Sequence, residues 1–229
     1  MLARETVTDQ VFASLREEIL AGRQRPGVTL PALRTLAAQF GVSVAVVREA
    51  VGRLEQLRLV EVRQGSGMVV RDWRRAGGLE SLAFAGLPMS ELAGDLFDAR
   101  ALLLVESARL AATSAVDEAH LDLAEARAGI VRAEGTHASL LADWAFMAAV
   151  VEASGNLVFQ LILNSVRELY LPHADSFAAI VSGREELIPL YDAVAGAIHA
   201  GDPDAAAAAM RELAIAQGRR IAQAAAATR

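Results

Sequence analysis

The sequence predicts a mainly α-helical protein: an N-terminal winged helix-turn-helix with a small β-hairpin wing, followed by a C-terminal all-α helical bundle. Residues 26–67 contain two short amphipathic segments separated at Gly41, and then an alternating apolar segment around glycines. The second part shows helical spacing of apolar residues and no strand alternation. The 229 residues suit two domains of ordinary size, which we place at residues 1–75 and 76–229.

The first two helices of the N-terminal domain are bounded by glycines. Residues 7–21 carry apolar side chains at helical spacing, and Gly22 ends this pattern. The second helix has Pro31 in its first turn and ends at Gly41. The first helix is therefore interpreted as a support for the helix-turn-helix.

The third helix has the pattern of a recognition helix. Ser43 can cap its first turn by accepting a hydrogen bond from a free amide. Val47, Val51 and Leu54 continue an inward face, whereas Arg48 points elsewhere. The following segment, LVEVRQGSGMVV, places β-branched residues around Gly65 and is typical of a hairpin with a flexible tip. This tip is the predicted wing.

Charge is distributed unevenly along the chain, although the net charge is −6 and the isoelectric point is about 5.3. Residues 1–75 contain 12 arginines and 8 acidic residues, net +4, whereas residues 76–229 contain 10 arginines and 20 acidic residues, net −10. Salt screening lets a local basic face act independently of distant acidic residues. There is no lysine, so every basic contact is a guanidinium. Double-stranded DNA is the expected partner of the first domain.

The second domain is predicted to be a helical bundle after a linker that contains helical turns. Leu96, Leu103 and Leu110 repeat every seven residues and indicate its first long helix. The other expected helices comprise an apolar face of Leu121, Ala124, Ala128 and Val131, the segments 139–153, 157–171 and 189–200, and a last helix that Asp202 caps with Pro203 in its first turn.

Several classes of function are excluded by composition. The absence of cysteine excludes disulfides, thiol catalysis and cysteine-ligated metals. The chain has no phosphate-binding glycine loop, no GxSxG and no metal motif, so we expect no enzyme. The N-terminus lacks an apolar signal core and no stretch approaches 18 apolar residues, which predicts a cytoplasmic protein without a membrane segment.

The segment LPALRTLAAQFGVSVAVVREAVGRLE, followed by RQGSGMVV, resembles the DNA-binding domain of the GntR family of bacterial transcription regulators. The resemblance spans roughly residues 8–72 and implies DNA contacts from the second helix, the recognition helix and the wing. The expected DNA-binding residues are Arg34, Ser43, Val44, Ala45, Arg48, Arg63, Gln64 and Gly65.

The recognition helix departs from the family pattern at Val44. This chain reads VSVAVVRE where the family commonly has VSRTPVRE or VTRTTLRE, so one guanidinium is missing. Val44 and Ala45 cannot donate hydrogen bonds to base edges but can touch a thymine methyl. Losing a bidentate contact costs ~1–3 kcal/mol of discrimination, so we expect an altered, A·T-leaning operator. A degenerate, weakly binding domain is the alternative.

The segments DARALLLVESARLAA and DWAFMAAVVEASGNLVFQLILNSVRELY resemble the effector-binding domain of the FadR branch of this family. Many members of the wider group hold a metal through an aspartate, a histidine four residues later and two further helical histidines. Asp143 matches the first ligand, but the other positions hold Met147, Tyr191 and Leu213. His120, His137, His173 and His199 show no such spacing. We therefore expect no metal and no cofactor.

Loss of the metal ligands points to the subset that resembles fatty-acid regulators, in which the bundle takes an acyl-CoA. The candidate effector-binding residues are Arg100, Asp143, Met147, Asn156, Tyr170 and Tyr191. Each has a structural alternative, such as a core tyrosine or a turn asparagine.

The sequence thus predicts a DNA-binding transcription regulator, with repression as the default. A homodimer would read a pseudo-palindromic operator, and a small organic effector, an acyl-CoA or a carboxylate, would modulate binding. The alternative is a constitutive DNA-binding protein whose helical domain only dimerises.

Overall fold

The computed structural model describes residues 6–63, 65, 67–84, 89–114, 117–170 and 177–227. The chain divides into two compact units, residues 1–87 and 88–229. The first unit extends past residue 75, where we place the end of the first domain, and Leu82 packs against its core. Within the described residues, no helix combines the length and apolar character needed to cross a membrane.

The first unit is a winged helix-turn-helix, as the sequence predicted. Its three strands form an antiparallel sheet in the order β1-β3-β2. The elements are α1 (Val7–Leu20), β1 (Thr29–Leu30), α2 (Leu33–Phe40), α3 (Val44–Gln56), β2 (Val60–Arg63), β3 (Gly67–Val70), α4 (Trp73–Ala76) and a 3₁₀ helix (Leu79–Phe84).

Local chemistry sets the ends of these helices. Gly41 ends α2 with φ +65°, a left-handed conformation that favours glycine. The Ser43 hydroxyl accepts a hydrogen bond from the Val46 amide, which confirms the predicted cap of α3. Pro31 precedes α2 by two residues instead of lying in its first turn, because Ala32 is the N-cap.

The core of the first unit forms where α1, α2 and α3 pack together over the sheet. Val47, Ala50 and Leu54 on α3 have no exposed surface. Arg53, on the same helix, lies 4.4 Å above the Phe12 ring and donates a hydrogen bond of 2.7 Å to Asp9. This contact ties α3 to α1, so Arg53 has a structural role.

The wing hairpin places Gly67 at a position that disfavours any other residue. Arg63 pairs with Gly67, whose φ of +84° disfavours other residues. A Cβ atom at Gly67 would also approach the Thr29 methyl to 3.0 Å. Thr29 belongs to the two-residue strand β1, which the sequence pattern did not predict because so short a strand shows no alternation.

The second unit is an all-α bundle, as predicted. Its helices are α5 (Met89–Ala111), α6 (Asp117–Arg132), α7 (Gly135–Ala153), α8 (Leu157–Tyr170), α9 (Arg184–His199) and α10 (Pro203–Ala227). Asp202 Oδ1 accepts a hydrogen bond from the Ala205 amide, which confirms the predicted cap of α10. Pro189 lies inside α9, which begins at Arg184.

The predicted inward face of α6 was wrong. Leu123 and Ile130 are buried, whereas Ala124 and Val131 are exposed. The helix carries two apolar stripes, and the core selects the one with the larger side chains. Leu121 lies on this helix, but its side chain is outside the described part of the structure.

The Asp9 carboxylate makes a pH-dependent contribution to the first unit. The hydrogen bond from Arg53, followed by the one from the Thr6 hydroxyl, lowers the pKa of Asp9 from 3.8 to about 2. A depressed carboxylate pKa stabilises the fold above the unfolded value, and this stabilisation disappears as pH falls through the folded value.

We predict that Asp9→Asn lowers the melting temperature at neutral pH, and that the difference from wild type shrinks as pH falls from about 4 towards 2. Thermal denaturation followed by circular dichroism measures it. The control is Glu17→Gln, which removes only an exposed ion pair with Arg23. A melting-temperature difference of equal size at about pH 4 and at about pH 2 would contradict a stabilising contribution from the Asp9 carboxylate.

Candidate nucleic-acid interface and effector site

The helix-turn-helix presents two arginines that are not engaged by the protein itself. Arg34 on α2 and Arg48 on α3 are exposed. Neither forms an ion pair with any residue that the structure describes. Arg53 provides the contrast, since it is held by Asp9. Arg34 and Arg48 are therefore available to phosphate oxygens or guanine edges.

The first turn of α3 is less open than its sequence suggested. Ala45 is exposed, but Val44 is half-buried and packs against the core together with Val46. Ser43 is exposed and already accepts the capping hydrogen bond. Val44 thus offers only part of its side chain to a base.

The wing carries a charge that is partly compensated. Arg63 Nη2 lies 3.0 Å from Glu61 Oε2, two residues earlier on the same face of β2. This hydrogen bond raises the pKa of Arg63 and lowers the pKa of Glu61. Gly65 is exposed with φ +80°, and Gln64 lies outside the described residues.

The bundle contains a buried polar network centred on Asp143. Tyr191 donates a hydrogen bond of 2.6 Å to Asp143 Oδ1, and Gln217 Nε2 donates one of 2.7 Å to the same atom. Arg100 Nη2 lies 3.0 Å from Asp143 Oδ2, and Arg100 Nη1 donates to Gln217 Oε1 at 2.7 Å. Four helices, α5, α7, α9 and α10, each contribute one member.

This network is closed to solvent and its polar groups satisfy one another. Asp143 is 1% exposed, Gln217 is fully buried, and the Arg100 side chain is 15% exposed. A buried carboxylate without a counter-charge would be costly, and the guanidinium with two neutral donors offsets that cost. The Tyr191 ring also meets Phe146 edge-on at a centroid distance of 5.0 Å.

The structure brings together three of the candidate effector residues, Arg100, Asp143 and Tyr191. Met147 lies one turn beyond Asp143 on α7 and is buried in the bundle core. Asn156 does not join them: its Oδ1 accepts hydrogen bonds from the Val158 and Phe159 amides and caps α8. The Tyr170 side chain lies outside the described part of the structure.

Gln217 is the member of the network that sequence reasoning missed. It lies in the alanine-rich last helix, 74 residues from Asp143, and belongs to no recognisable motif. The only sequence signal was a polar residue at a position four residues after Leu213 on an inward face.

A metal does not fit at the position that many relatives use. Both Asp143 oxygens accept hydrogen bonds from protein donors, and Met147 and Leu213 offer no oxygen or nitrogen ligand. Arg100 places a positive charge directly against the carboxylate. Among the described residues, no group of three or more histidine, aspartate or glutamate side chains is placed to hold a metal ion.

The winged helix and the helical bundle together define a DNA-binding transcription regulator, not an enzyme. The model for "Bacterial regulatory proteins, gntR family" matches residues 7–70, and the FCD domain model matches residues 95–216. The chain belongs to the GntR family of bacterial transcription regulators, with an FCD domain as its helical unit.

Curated relatives and a solved structure match over much of this chain. The HTH-type transcriptional regulator Mce2R of Mycobacterium tuberculosis is 33% identical over 222 residues, 93% of this chain and 90% of that protein. LutR of Bacillus subtilis is 32% identical, covering 66% of this chain and 69% of its own. A GntR structure from Streptococcus agalactiae is 26% identical with a TM-score of 0.52, covering 93% and 99% of the two chains.

We predict that Asp143→Ala lowers the free energy of unfolding by about 3–5 kcal/mol, because it leaves Arg100 buried without its counter-charge. Urea denaturation followed by circular dichroism measures this change. Glu125→Ala, which breaks an exposed ion pair with Arg132, is the control and should cost about 1 kcal/mol or less. Equal effects of the two variants would show that the buried network is not structurally important.

Proposed function

We propose that the protein is a homodimeric repressor that reads a pseudo-palindromic operator and responds to a small organic effector bound in its helical unit. The observation that carries the DNA-binding part is that Arg34 and Arg48 are exposed and form no ion pair with any described residue. Free guanidiniums on a helix-turn-helix are the groups that contact phosphates and guanine edges.

The first turn of α3 supports an operator that differs from those read by relatives with arginine at this position. Ala45 is exposed and can contact a thymine methyl, whereas Val44 is partly covered by the core. Arg48 then supplies the hydrogen-bonding contact of the recognition helix. We expect an A·T base pair opposite Ala45 in each half-site.

An apolar ridge on α8 supports the proposal that two copies of the chain form a dimer. Leu157, Val158, Leu161 and Ile162 are between 39% and 67% exposed, while Leu163 on the opposite side is buried. The first eight residues of α8 contain no charged side chain. An exposed apolar ridge favours cover by another surface, and interface cores are depleted in charge. Two-fold packing of this ridge on itself meets both requirements.

The effector is proposed to act through the Asp143 network. Arg100 bonds Asp143 through Nη2 within the bundle, and a ligand carboxylate can compete with Asp143 for that donor. A free carboxylic acid offers this group itself, whereas an acyl-CoA would supply an acyl chain to the apolar core. Replacement of Asp143 by the ligand carboxylate at Arg100 would alter the contacts among four helices. Binding of the effector could then change the conformation of the bundle.

A constitutive DNA-binding protein is the second candidate, and one observation favours it. The network is already satisfied by protein groups, and the cavity beside Tyr191 has a volume of only about 10 Å³. In that case the helical unit serves dimerisation alone. An acyl-CoA or a small carboxylic acid that raises the melting temperature and releases the operator supports the regulator, whereas no response to either class supports the constitutive protein.

Removal of either free guanidinium should weaken operator binding. We predict that Arg34→Ala and Arg48→Ala each reduce affinity by roughly tenfold to a hundredfold, as expected from a lost contact of ~1–3 kcal/mol. A contact to phosphate would also reduce the salt slope by about 1. Fluorescence anisotropy at fixed salt measures affinity, with a duplex that the wild-type protein selects from a random pool.

Arg23→Ala is the matched control for these two variants, since Arg23 is already paired with Glu17. Circular dichroism should show that all three variants retain the fold. Unchanged affinity in both Arg34→Ala and Arg48→Ala would eliminate this face as the DNA contact.

A charge within the α8 ridge should separate the proposed dimer. We predict that Leu161→Arg shifts the protein from dimer to monomer at micromolar concentration, because it would bury two like charges at a two-fold interface. Sedimentation equilibrium measures the mass. Leu102→Arg, at an exposed leucine on α5, is the control. A wild-type monomer, or a Leu161→Arg dimer of unchanged stability, would refute the use of this ridge.

A further inference from the structure

The bundle has an open cleft at the N-terminal end of α7, away from the residues considered so far. Its volume is about 690 Å³. One wall is the start of α7, with Thr136 and Ser139, and another is the C-terminal part of α10, with Arg220 and Gln223. Residues 178–183, which include a 3₁₀ turn, complete it with mostly small side chains.

The start of α7 supplies free backbone donors to this cleft. Glu134 is the N-cap residue, and its side chain makes no capping hydrogen bond. The amides of the first turn of an α-helix have no partner within the helix, and the helix dipole favours negative charge there. Because α7 continues for 19 residues, the full end dipole is present.

Ser139 is the second and independent indication of a ligand. This residue is only 9% exposed and lines the cleft, yet its hydroxyl has no hydrogen-bond partner among the described residues. Other helical serines of the bundle bond back to their own helix: Ser107 to the Leu103 carbonyl at 2.8 Å and Ser165 to the Leu161 carbonyl at 3.0 Å. The Ser139 oxygen is not among the fully buried, unpartnered side-chain atoms of the described residues, so the hydroxyl is accessible from the cleft and keeps its donor for a ligand there.

Arg220 places a fixed positive charge on the opposite wall. Its Nε donates to the Ser182 carbonyl at 2.7 Å, its Nη1 to the Ala216 carbonyl at 3.1 Å, and its Nη2 to Glu186 at 2.8 Å. These contacts hold a guanidinium that is 15% exposed in one orientation, while Glu186 itself is 82% exposed. Each nitrogen has one protein acceptor, so a ligand carboxylate would use the second hydrogen of Nη1 or Nη2, or replace the exposed Glu186, whose ion pair is screened by water.

The cleft is separated from the Asp143 network by a single layer of side chains. Ser139 and Val181 line both the cleft and the small inner cavity, and Tyr191 lines the far side of that cavity. The Tyr191 hydroxyl in turn donates to Asp143. A ligand that engages Ser139 therefore lies one residue away from the network.

We infer that this cleft is the outer binding site and portal for an organic carboxylate with an apolar tail. The carboxylate binds the first-turn amides of α7, Ser139 and Arg220, and the tail lies on the small apolar side chains of residues 178–181. Displacement of Val181 then opens the inner cavity towards Tyr191. The inference rests on the proposed effector function and assigns the path by which the effector reaches its site.

The experiment is a calorimetric titration of the full chain with octanoate, with 1-octanol as the ligand that has the same tail and no charge. Octanoate should bind at least about tenfold more tightly than octanol if a charge-assisted contact is made. Arg220→Gln should remove most of this preference, and Ser139→Ala should weaken octanoate binding several-fold. Ser165→Ala, whose hydroxyl is bonded to its own helix, should have no effect.

Arg220→Gln tests the site only if the variant folds. Ser139→Ala should fold with the melting temperature of the wild-type protein, because the Ser139 hydroxyl bonds no other described group, and it therefore tests the site independently. Equal affinities for octanoate and octanol, or octanoate binding that Ser139→Ala leaves unchanged, would overturn the site. Anisotropy of the operator duplex is recorded in parallel. Octanoate binding in the cleft without operator release refutes the regulatory function alone, whereas release that Ser139→Ala leaves unaltered refutes the cleft alone.

Discussion

The ion pair between Arg100 and Asp143 is the interaction on which the helical unit depends. The pair lies in the bundle core, where well-packed apolar side chains would stabilise the fold at least as well. The desolvation of two charges costs much of the free energy that their attraction gains. The members of the pair come from α5 and α7, and Tyr191 and Gln217 add α9 and α10. One carboxylate therefore links four helices, and any change in its hydrogen-bond partners alters contacts on all four.

The same arrangement accounts for the absence of a fitting metal site. The resemblance implies that an aspartate and three histidines hold a metal in many members of the wider group, whereas in this chain Asp143 is surrounded by protein donors. A guanidinium supplies the positive charge that a cation would supply, and the tyrosine hydroxyl and the glutamine amide supply hydrogen bonds to one oxygen. The proposed effector would therefore act by competition or displacement among protein groups, because the described surroundings of Asp143 leave no coordination position open.

The arginines of the winged unit have two different roles. Arg53 stacks on Phe12 and binds Asp9, so it joins α1 to α3. Arg34 and Arg48 have no such contacts among the described residues and remain available to an external anion. Sequence alone treats all three as basic helix residues, and only the packed structure separates a guanidinium that holds the fold from one that can hold DNA.

The parts of the fold that the sequence predicted are those controlled by local chemistry. Gly41 and Ser43 act through their own backbone and side-chain conformations, so the ends of α2 and α3 could be read directly. The inward face of α6 could not, because two apolar stripes compete and only packing selects one. Gln217 was missed for a similar reason: its partners lie on other helices, and a lone polar residue in an alanine-rich helix resembles a solvent-facing one.

A double-mutant cycle on Arg100 and Asp143 tests the central claim most directly. The free energy of unfolding is measured by urea denaturation for wild type, Arg100→Met, Asp143→Leu and the double variant. We expect each single variant to be strongly destabilised and the double variant to recover much of the loss, because removing both charges leaves none unpaired in the core. Strictly additive losses would contradict it, since they would mean that the two side chains contribute independently.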